Sequence, residues 1–295
     1  MKRKNLIIFL IFSMILWGGT WTSAKLVSVN APVELLIFWR FLPTALSMIP
    51  FLLFFKTGIR VKAQELLLLA IGGGVIFIYN IGFFSGVRVG LAGAGGVLVT
   101  GLNPVLTFLL TVILTKEKAS LRQILALIIG FGGGLIMLEI WTFSPEQIFN
   151  SGNSWFLFAS FTWAVLTMLS HRIQRTVHFL VYGFYIYLFC SLYALILALS
   201  KGSLSQTPVD LPFWLNMAYI SIAATSLATT VYFLCTRELG SRIASSFIFT
   251  VPVSALVFSW MILGEVPAVH TVLGGALTIA AVYVINSSPG KGKSQ

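Results

Sequence analysis

The sequence predicts an all-α membrane protein with ten transmembrane helices, arranged as two inverted repeats of five helices each. Three observations predict this class: ten apolar segments of spanning length, basic residues that alternate between their two sides, and landmarks that recur about 148 residues apart. With 58% hydrophobic residues, 9% charged residues and a mean hydropathy of +0.96, a soluble core of 295 residues could not hide the apolar surface from water. We therefore expect a lipid bilayer around the protein.

Ten apolar segments follow one another along the chain. Each can cross a bilayer, because about 20 apolar residues rising ~1.5 Å each cover the ~30 Å hydrocarbon core. The predicted spans are 6 to 25, 33 to 55, 65 to 86, 94 to 114, 121 to 139, 154 to 172, 179 to 199, 213 to 235, 243 to 263 and 269 to 286. The first resembles a signal peptide but has the length of a span, so we assign it as span one.

Basic residues indicate which side of the membrane each loop occupies. Of the 19 Lys and Arg residues, those on one side are Lys2, Arg3, Lys4, Lys56, Arg60, Lys62, Lys116, Lys118, Arg122, Arg172, Arg175, Arg237, Arg242, Lys291 and Lys293. The other side has only Lys25, Arg88 and Lys201, and Arg40 lies inside span two. Short loops rich in Lys and Arg stay cytoplasmic, so both termini are expected in the cytoplasm, with the protein in the cell (inner) membrane. Because the net charge of +11 is dispersed over six segments, we expect no nucleic-acid partner.

Two landmarks recur in the second half of the chain. Pro104 and Glu117 correspond to Pro252 and Glu265 at an offset of 148, and Trp17 corresponds to Trp163 at an offset of 146. Such recurrence indicates a duplication. With five spans per unit, the second copy must enter the membrane from the opposite side, an arrangement typical of secondary transporters. The predicted units are 1–141 and 152–288, joined by an external loop at 142–151 and followed by a cytoplasmic tail at 289–295.

The ten spans and four short motifs resemble the EamA family of the drug/metabolite transporter superfamily. The motifs are Trp17-Gly18, Arg40 in span two, and the paired segments from proline to glutamate that end spans four and nine. The resemblance implies a ten-helix permease, without a cofactor, that carries small metabolites such as amino acids across a bacterial membrane. The chain departs from symmetry where the second half has Tyr185-Ile186-Tyr187 in place of the arginine region. It also has Lys116-Glu117 where the second half has Gly264-Glu265.

Arg40 is the basic residue that lies well inside a predicted span, so the distribution of charge between the two sides does not assign it to either side. It lies about seven residues into span two, roughly 10 Å below the outer end. An arginine at such a depth usually faces a cavity or a partner, because its charge is costly in lipid. One interpretation is an anchor for a substrate carboxylate or phosphate, which the guanidinium binds through two parallel hydrogen bonds. The other is a snorkelling arginine that reaches outward to Glu34 or to carbonyls at a helix end.

Other polar and aromatic residues within the spans are candidates for lining a substrate site or for bonding helices together. The predicted substrate-binding set is Trp17, Arg40, Tyr79, Asn80, Asn103, Trp163, Tyr185 and Tyr232. Pro104 and Pro252 are predicted to break spans four and nine beside the site, exposing Asn103 and Val251, although kinking without substrate contact is an equal alternative. Glu117 and Glu265 are candidate gates or helix caps, with simple solvation as the alternative. Glycines at four-residue spacing, such as Gly82 and Gly86, predict close helix packing.

Two other classes of protein compete with a transporter. An intramembrane enzyme needs a nucleophile with a base or an aspartyl pair, but the chain has one Asp and its histidines lie near span ends, so we predict no catalytic residue. A channel needs charged rings or a carbonyl filter, and neither pattern occurs. The two cysteines, Cys190 and Cys235, lie in spans and provide no metal-ligand spacing. Since all eight carboxylates lie in loops or near span ends, export or exchange is favoured over proton antiport.

Overall fold

The computed structural model describes residues 3–116, 120–137, 152–239 and 247–287, and those ranges contain helices and no strand. The helices of the first half are α1 (Arg3–Ser28), α2 (Val33–Phe54), α3 (Ala63–Val89), α4 (Ala92–Thr115) and α5 (Leu121–Met137). Those of the second half are α6 (Asn153–Ile173), α7 (Phe179–Ser200), α8 (Leu211–Ala218, Tyr219–Leu227 and Ala228–Leu239), α9 (Thr250–Leu263) and α10 (Val269–Ser287).

Seven of these helices are long and apolar enough to cross a membrane, namely α1 to α4 and α6 to α8. The apolar stretches of α5, α9 and α10 are shorter, at 10–17 residues. Many large apolar side chains point away from the bundle, and Leu53, Ile196 and Met261 are each more than 60% exposed. Since water would penalise such a surface, the protein is a helical membrane protein with several spans.

Local sequence explains where several helices begin. Asp210 accepts a hydrogen bond from the backbone N–H of Phe213 at 2.8 Å and so caps α8, with Pro212 in the first turn, where a missing N–H costs nothing. Gly152 starts α6 with φ of +80°, a left-handed conformation that favours glycine. A Cβ at this position would also lie 2.8 Å from the carbonyl oxygen of Gly86 in α3.

Helix α8 is wound as a π-helix between Tyr219 and Leu227. A π-helix bonds each N–H to the carbonyl five residues earlier and is rare except as an insertion near functional sites. The three segments follow one another without interruption, so the predicted span at 213 to 235 is one helix of changing winding.

The two prolines have different positions in their helices. Helix α4 continues through Pro104 to Thr115, so the expected break at Pro104 is wrong. Pro252 is the third residue of α9, which begins at Thr250 after a 3₁₀ turn at Phe247–Phe249. Proline in a first turn needs no N–H partner. The start of the predicted span, 243–246, lies outside the described residues, so the break of span nine at Pro252 stays a prediction. Val251, expected to face a cavity, is buried.

The two halves pack against each other along most of their length. Helix α5 packs on α10, α2 on α7, and α4 on α9; α3 lies against α6 and α7, while α1 lies against α8 and α9. Glycines permit the close approaches, as predicted for Gly82 and Gly86, because a Cβ on either would lie within 3.0 Å of a phenylalanine of α6. Gly133 of α5 and Gly274 of α10 also permit a close approach of their helices. A Cβ added to either glycine would meet the carbonyl oxygen of the other glycine.

The bundle has two ends. We call them the Lys25 end, after the residue near the end of α1, and the Lys56 end, which contains Lys56 after α2 and His178 before α7. At the Lys25 end, Lys25 Nζ donates to the carbonyls of Arg88 and Gly90 at 3.2 and 2.7 Å, which ties α1 to the end of α3. Arg88 Nε donates in return to the carbonyl of Ser28 at 2.6 Å. Glu34 of α2 meets Lys201, just after α7, at 3.4 Å. This end is therefore closed by polar bonds between helices.

Candidate functional site

Arg40 is buried where helices of both halves meet. Its Nη1 donates to Asn80 Oδ1 on α3 at 3.0 Å, and its Nη2 lies 3.5 Å from Thr225 Oγ1 in the π-helical part of α8. Asn80 is held in turn by its own Nδ2, which donates to the carbonyl of Ile76 at 2.7 Å. The side chain of Arg40 is 9% exposed and that of Asn80 is fully buried. The guanidinium of Arg40, which belongs to α2, thus contacts α3 of its own half and α8 of the other half.

Aromatic rings surround the guanidinium on its remaining sides. The central carbon, Cζ, lies 5.0 Å from the ring centre of Phe83, 5.3 Å from that of Phe41 and 5.9 Å from that of Phe84. The negative face of an aromatic ring attracts a cation, and each contact contributes ~0.5–2 kcal/mol depending on its desolvation. These rings offset part of the cost of burying the charge.

Further aromatic residues extend this cluster along α3, α6 and α7. Tyr79 packs on Trp163 of α6, with ring centres 4.6 Å apart, and on Phe83 at 6.0 Å. On the other side, Tyr187 of α7 stacks on Phe41 at 5.5 Å. The predicted residues Arg40, Tyr79, Asn80 and Trp163 therefore come together, and we call them, with Thr225, the Arg40 cluster.

The π-helical part of α8 is bonded to α2 beside Arg40. Thr44, one turn after Arg40, donates its hydroxyl to the carbonyl of Ser221 at 3.0 Å as well as to that of Arg40. The Ser221 hydroxyl donates to the carbonyl of Trp39 at 3.3 Å. A buried carbonyl without a partner is costly in a membrane, so these side chains stabilise the unusual winding.

Glu34 is not the partner of Arg40. Its carboxylate accepts a hydrogen bond from Ser203 at 2.7 Å and pairs with Lys201, and it is buried among those residues. The interpretation of Arg40 as a snorkelling arginine that reaches Glu34 is therefore wrong.

Trp17 and Tyr232 lie in a second cluster. Their ring centres are 5.3 Å apart, and they pack with Leu10, Met14 and Val251. The indole N–H of Trp17 donates to the carbonyl of Ala224 at 2.9 Å. Since Ala224 precedes Thr225, adjacent residues of the π-helical segment contact Trp17 and Arg40. That segment connects the two clusters.

Two predicted residues lie apart from both clusters. Tyr185 donates its hydroxyl to the carbonyl of Ile59, in the connection between α2 and α3 at the Lys56 end. Asn103 is half-buried and accepts a hydrogen bond at 2.9 Å from Thr107, one turn further along α4. Neither shares a contact with Arg40 in the described part of the chain.

Glu265 caps a helix of the other half. Its two carboxylate oxygens accept the backbone N–H groups of Ala92 and Gly93 at 3.1 Å each, at the start of α4. The left-handed Gly264, with φ of +70°, ends α9 and turns the chain so that Glu265 reaches that helix. A carboxylate at this position is favoured by free N–H groups and by the positive end of the helix dipole. Glu117 lies outside the described residues.

Several residues of the site were not among the predicted set. Thr225, Phe41, Phe83 and Phe84 contact the guanidinium without having been singled out. The helical spacing from Asn80 to Phe83 and Phe84 places all three on one face and could have identified the two rings. Thr225 gives no such signal, because its position depends on the π-helical winding.

Two concavities of the structure lie away from the Arg40 cluster. The larger, of about 370 Å³, is an open apolar groove between α3 and α7, lined by residues such as Phe77, Tyr193 and Ile196. The smaller, of about 20 Å³, is lined by Phe55, His178 and Thr230, among others, near the Lys56 end. Neither borders Arg40, and the smaller has room for about one water molecule. In the described ranges, no three His, Cys, Asp or Glu side chains are grouped to hold a metal ion.

Membrane-spanning helices with an arginine buried between two packed halves define a helical membrane protein with a charge inside the membrane, a feature that usually marks a functional site. The chain belongs to the EamA-like transporter family, whose family model matches residues 4–139 and again residues 150–287. The family resemblance seen in the sequence is thus confirmed.

Similar proteins bear the names of transporters. The chain is 28% identical over 298 residues to the uncharacterized transporter YyaM of Bacillus subtilis (strain 168), covering 96% of this chain and 93% of that protein. It is 24% identical to an uncharacterized transporter of Archaeoglobus fulgidus, covering 94% and 96%. One crystal structure superposes with a TM-score of 0.64 at 19% identity, over 96% of this chain and 98% of that chain, which shows the fold alone. The family and these names indicate a membrane transporter.

Proposed function

We propose that the protein is a secondary transporter that moves small organic metabolites, such as amino acids or related compounds, across the cell membrane by alternating access around the Arg40 cluster. The observation that carries this proposal is the position of Arg40, a buried charge bonded to Asn80 of its own half and in contact with Thr225 of the other. A charge so placed is costly, and intramembrane charges usually mark the path of a substrate or ion.

The architecture proposed with it is ten spans in two inverted repeats, 1–141 and 152–288, with 142–151 outside and the tail 289–295 in the cytoplasm. Helix bounds support the duplication: α2 and α7 both have 22 residues and begin 146 residues apart, while α3 and α8, like α5 and α10, begin 148 apart. The family model also matches twice.

The packing supports a symmetric relation between the repeats. In a symmetric pair of repeats, α1 to α5 correspond in order to α6 to α10. The contact of α3 with α6 then corresponds to the contact of α8 with α1, and both contacts exist. The contact of α4 with α6 likewise corresponds to that of α9 with α1. Pairs such as α2 with α7 map onto themselves. Two halves related in this way can exchange conformations, which is the basis of alternating access.

Basic residues support the orientation, with the Lys56 end in the cytoplasm and the Lys25 end outside. With this orientation, the outer end is the Lys25 end, which is joined by the bonds of Lys25, Arg88, Glu34 with Lys201, and Glu265. Opening to the outside requires the bonds of Glu34 and Glu265 to break, because both join the first half to the second. Facilitated export or exchange is favoured over proton antiport, since the carboxylates and histidines lie in loops or near span ends.

Transport by the purified protein in proteoliposomes tests this proposal. A panel of radiolabelled amino acids is loaded on one side, and counterflow is measured for the unaltered protein, for Arg40→Ala and for Arg172→Ala. Arg172 is an exposed arginine and serves as the matched control. We expect Arg40→Ala to abolish transport and Arg172→Ala to retain it, with both proteins monodisperse in detergent. Full transport by Arg40→Ala would contradict the anchor role.

The coupling is tested by the same vesicles with and without an imposed pH gradient. Facilitated export or exchange predicts similar rates in both conditions, because it moves no proton with the substrate. Strong acceleration by the gradient would contradict this part of the proposal and indicate a proton antiporter.

A further inference from the structure

We propose that the open groove between α3 and α7 binds one acyl chain of an anionic phospholipid, with the phosphate of its headgroup beside Arg88 and Lys201. This binding site is distinct from the Arg40 cluster and does not depend on the proposed function. Three observations carry it: the shape of the groove, the bonding of its polar side chains, and the basic residues at the Lys25 end of both helices.

Helices α3 and α7 both end at the Lys25 end and separate as they approach it. In the middle of α3 the two helices are in close contact, because a Cβ on Gly73 would clash with Phe189 of α7. At Gly74, by contrast, a Cβ would lie 3.7 Å from the ring of Tyr193, an ordinary van der Waals distance. Beyond this level, as far as Ser200, the helices leave the groove of about 370 Å³ between them.

The groove has the width of a hydrocarbon chain and is too narrow for a helix. From Tyr193 to Ser200 it follows α7 for ~10 Å, at a rise of ~1.5 Å per residue. Divided over that length, the volume of about 370 Å³ gives a mean cross-section of roughly 35 Å². A helix about 10 Å wide needs ~80 Å². A helix of a second copy therefore does not fit, whereas an extended acyl chain can lie along the groove.

The lining of the groove favours an apolar occupant. Its walls face the bilayer, since Ile78 of α3 is 42% exposed and Ile196 of α7 is 64% exposed. Two lining side chains have hydroxyl groups, and both are bonded to the backbone. Tyr193 donates to the carbonyl of Ala70 at 3.2 Å, and Ser200 donates to a carbonyl of its own helix at 2.9 Å. Because these groups are already engaged, the groove suits a hydrocarbon chain better than a polar solute.

Each of the two helices has a basic residue at the Lys25 end. Arg88 lies in the last turn of α3, and Lys201 directly follows α7. Arg88 donates to the backbone carbonyls of Ser28 and Ala31, which are neutral, and Lys201 pairs with Glu34. Ala31 and Glu34 are three residues apart, so both basic side chains reach the start of α2. The headgroup of a lipid whose chain lies in the groove would meet them there.

The local charge favours an anionic headgroup. Two positive charges and the carboxylate of Glu34 meet at the start of α2, which leaves one positive charge in excess. A phosphodiester has one negative charge, and its oxygens accept the charge-assisted hydrogen bonds that guanidinium and ammonium groups donate. The side chain of Lys201 is 55% exposed and thus accessible to a phosphate at the membrane surface. A zwitterionic lipid brings a positive charge of its own and should bind less tightly.

Photolabelling in vesicles tests this site. The full-length protein is reconstituted into phosphatidylcholine that contains a small fraction of phosphatidylglycerol with a diazirine in one acyl chain, or of phosphatidylcholine with the same chain. We expect the phosphatidylglycerol probe to label the groove peptides, 74–78 and 193–200, about fivefold more than the other probe, the effect of roughly one basic residue at a lipid surface. At 128–135 of α5, where Ile128 and Leu135 are exposed, the probes should label equally. Equal labelling of the groove would overturn the proposal.

Two variants with the same substitution distinguish the groove from the rest of the lipid-facing surface. Gly74→Leu places a side chain in the groove at ordinary contact distance from Tyr193. Gly132→Leu, the control, adds one to α5 where no atom of another helix in the described ranges lies within 4 Å of the new Cβ. Gly74→Leu should lower labelling of the groove by phosphatidylglycerol to the level of α5, and Gly132→Leu should leave it unchanged. If Gly74→Leu does not fold, Ile196→Trp fills the groove from its other wall. Undiminished labelling in a folded, filled variant would overturn the proposal.

The position of the headgroup is tested at Lys201. Lys201→Gln keeps a donor for Glu34 but removes the charge, and Arg172→Gln removes an exposed charge at the Lys56 end. The preference for phosphatidylglycerol should disappear in Lys201→Gln and stay about fivefold in Arg172→Gln. A preference that Lys201→Gln leaves unchanged would overturn the placement of the phosphate.

The same vesicles distinguish a lipid from a second copy of the chain. Chemical crosslinking should give the same ratio of monomer to dimer in the unaltered protein and in Gly74→Leu. A dimer that Gly74→Leu dissociates would assign the groove to a second copy and overturn the lipid site. Because no transported compound is present, failure of the lipid site leaves the proposed function standing.

Discussion

The second helix of each half occupies a corresponding position, yet the two helices differ in their polar chemistry. Helices α2 and α7 have 22 residues each, begin 146 residues apart and pack against each other. At the same register α2 has Arg40 and α7 has Ile186, which is 3% exposed. The two helices thus share their length and their packing, while the charge lies on one side of the interface only. A single anchor is what the proposed site would have.

The third helices differ in a complementary way. Helix α3 is a regular α-helix that supplies the side chains of Tyr79 and Asn80, whereas α8 is π-helical between Tyr219 and Leu227 and supplies backbone carbonyls and Thr225. The first half therefore holds the guanidinium through the side chain of Asn80, and the second half through that of Thr225, which lies in the π-helical segment. We therefore expect corresponding substitutions in the two halves to have different effects.

Adding a charge to the second half should have the largest effect. Ile186→Arg would bury a second guanidinium against α3, where Ile186 Cγ2 is 3.3 Å from the place of a Cβ on Gly72. We expect destabilisation of about 3 kcal/mol or more and little folded protein, because the new charge has no prepared partners. Ile186→Leu, the control, should cost under ~1.5 kcal/mol. The yield of monodisperse protein in detergent is the measurement; a normal yield of Ile186→Arg would contradict the account.

Removing the cap between the halves should have the next largest effect. Glu265→Ala leaves the N–H groups of Ala92 and Gly93 without an acceptor, so we expect the free energy of unfolding to fall by about 1–2 kcal/mol. Thermal unfolding in detergent measures this change. Glu265→Gln retains an acceptor and should cost less. Equal losses for the two variants would show that charge, and not hydrogen bonding, stabilises the contact.

The contribution of the π-helical segment is tested at Thr225. Thr225→Val removes the hydroxyl that approaches Arg40 and that donates to the carbonyl of Ile220 at 2.7 Å. We expect about 1 kcal/mol less favourable binding, or roughly a fivefold higher KM for transport. Thr167→Val is the control, because that hydroxyl donates to the carbonyl of Trp163 within its own helix. An unchanged KM in Thr225→Val would remove the second half from the site.

The smallest effect concerns the ends of α4 and α9. Lys116 has φ of +54° where the second half has Gly264 at +70°, so both positions are left-handed but only one has the residue suited to it. Lys116→Gly should stabilise the protein by up to ~1 kcal/mol, and Gly264→Lys should destabilise it by about as much. Chemical denaturation of the reconstituted protein compares the two. Destabilisation by Lys116→Gly would show that the lysine side chain makes a contact worth more than the strain.

Much of the fold could be predicted from the sequence because apolar length and the distribution of charge act locally. The predicted starts at Val33, Leu121, Phe179 and Val269 coincide with the observed helix starts. The site was less accessible to prediction. Arg40 and Asn80 are detectable as costly polar residues in apolar spans, but the contacts of Thr225 depend on a change of helical winding, and those of Glu265 on the approach of two halves far apart in sequence. Pro104 shows the limit of a local rule, since α4 continues through it. Helices in a membrane tolerate proline because neighbouring groups can satisfy the freed carbonyl.

The central claim, that the halves move against each other around Arg40, is tested most directly by locking the Lys25 end. Ala92→Cys and Glu265→Cys are introduced together into a protein whose Cys190 and Cys235 are replaced by alanine. This protein is treated with a short bis-thiosulfonate, which joins the two thiols through disulfides that a reductant cleaves. Counterflow of phenylalanine is then measured before crosslinking, after it, and after reductive cleavage of the link. The account predicts transport that stops on crosslinking and returns on cleavage. Undiminished transport through a fully crosslinked protein would contradict it.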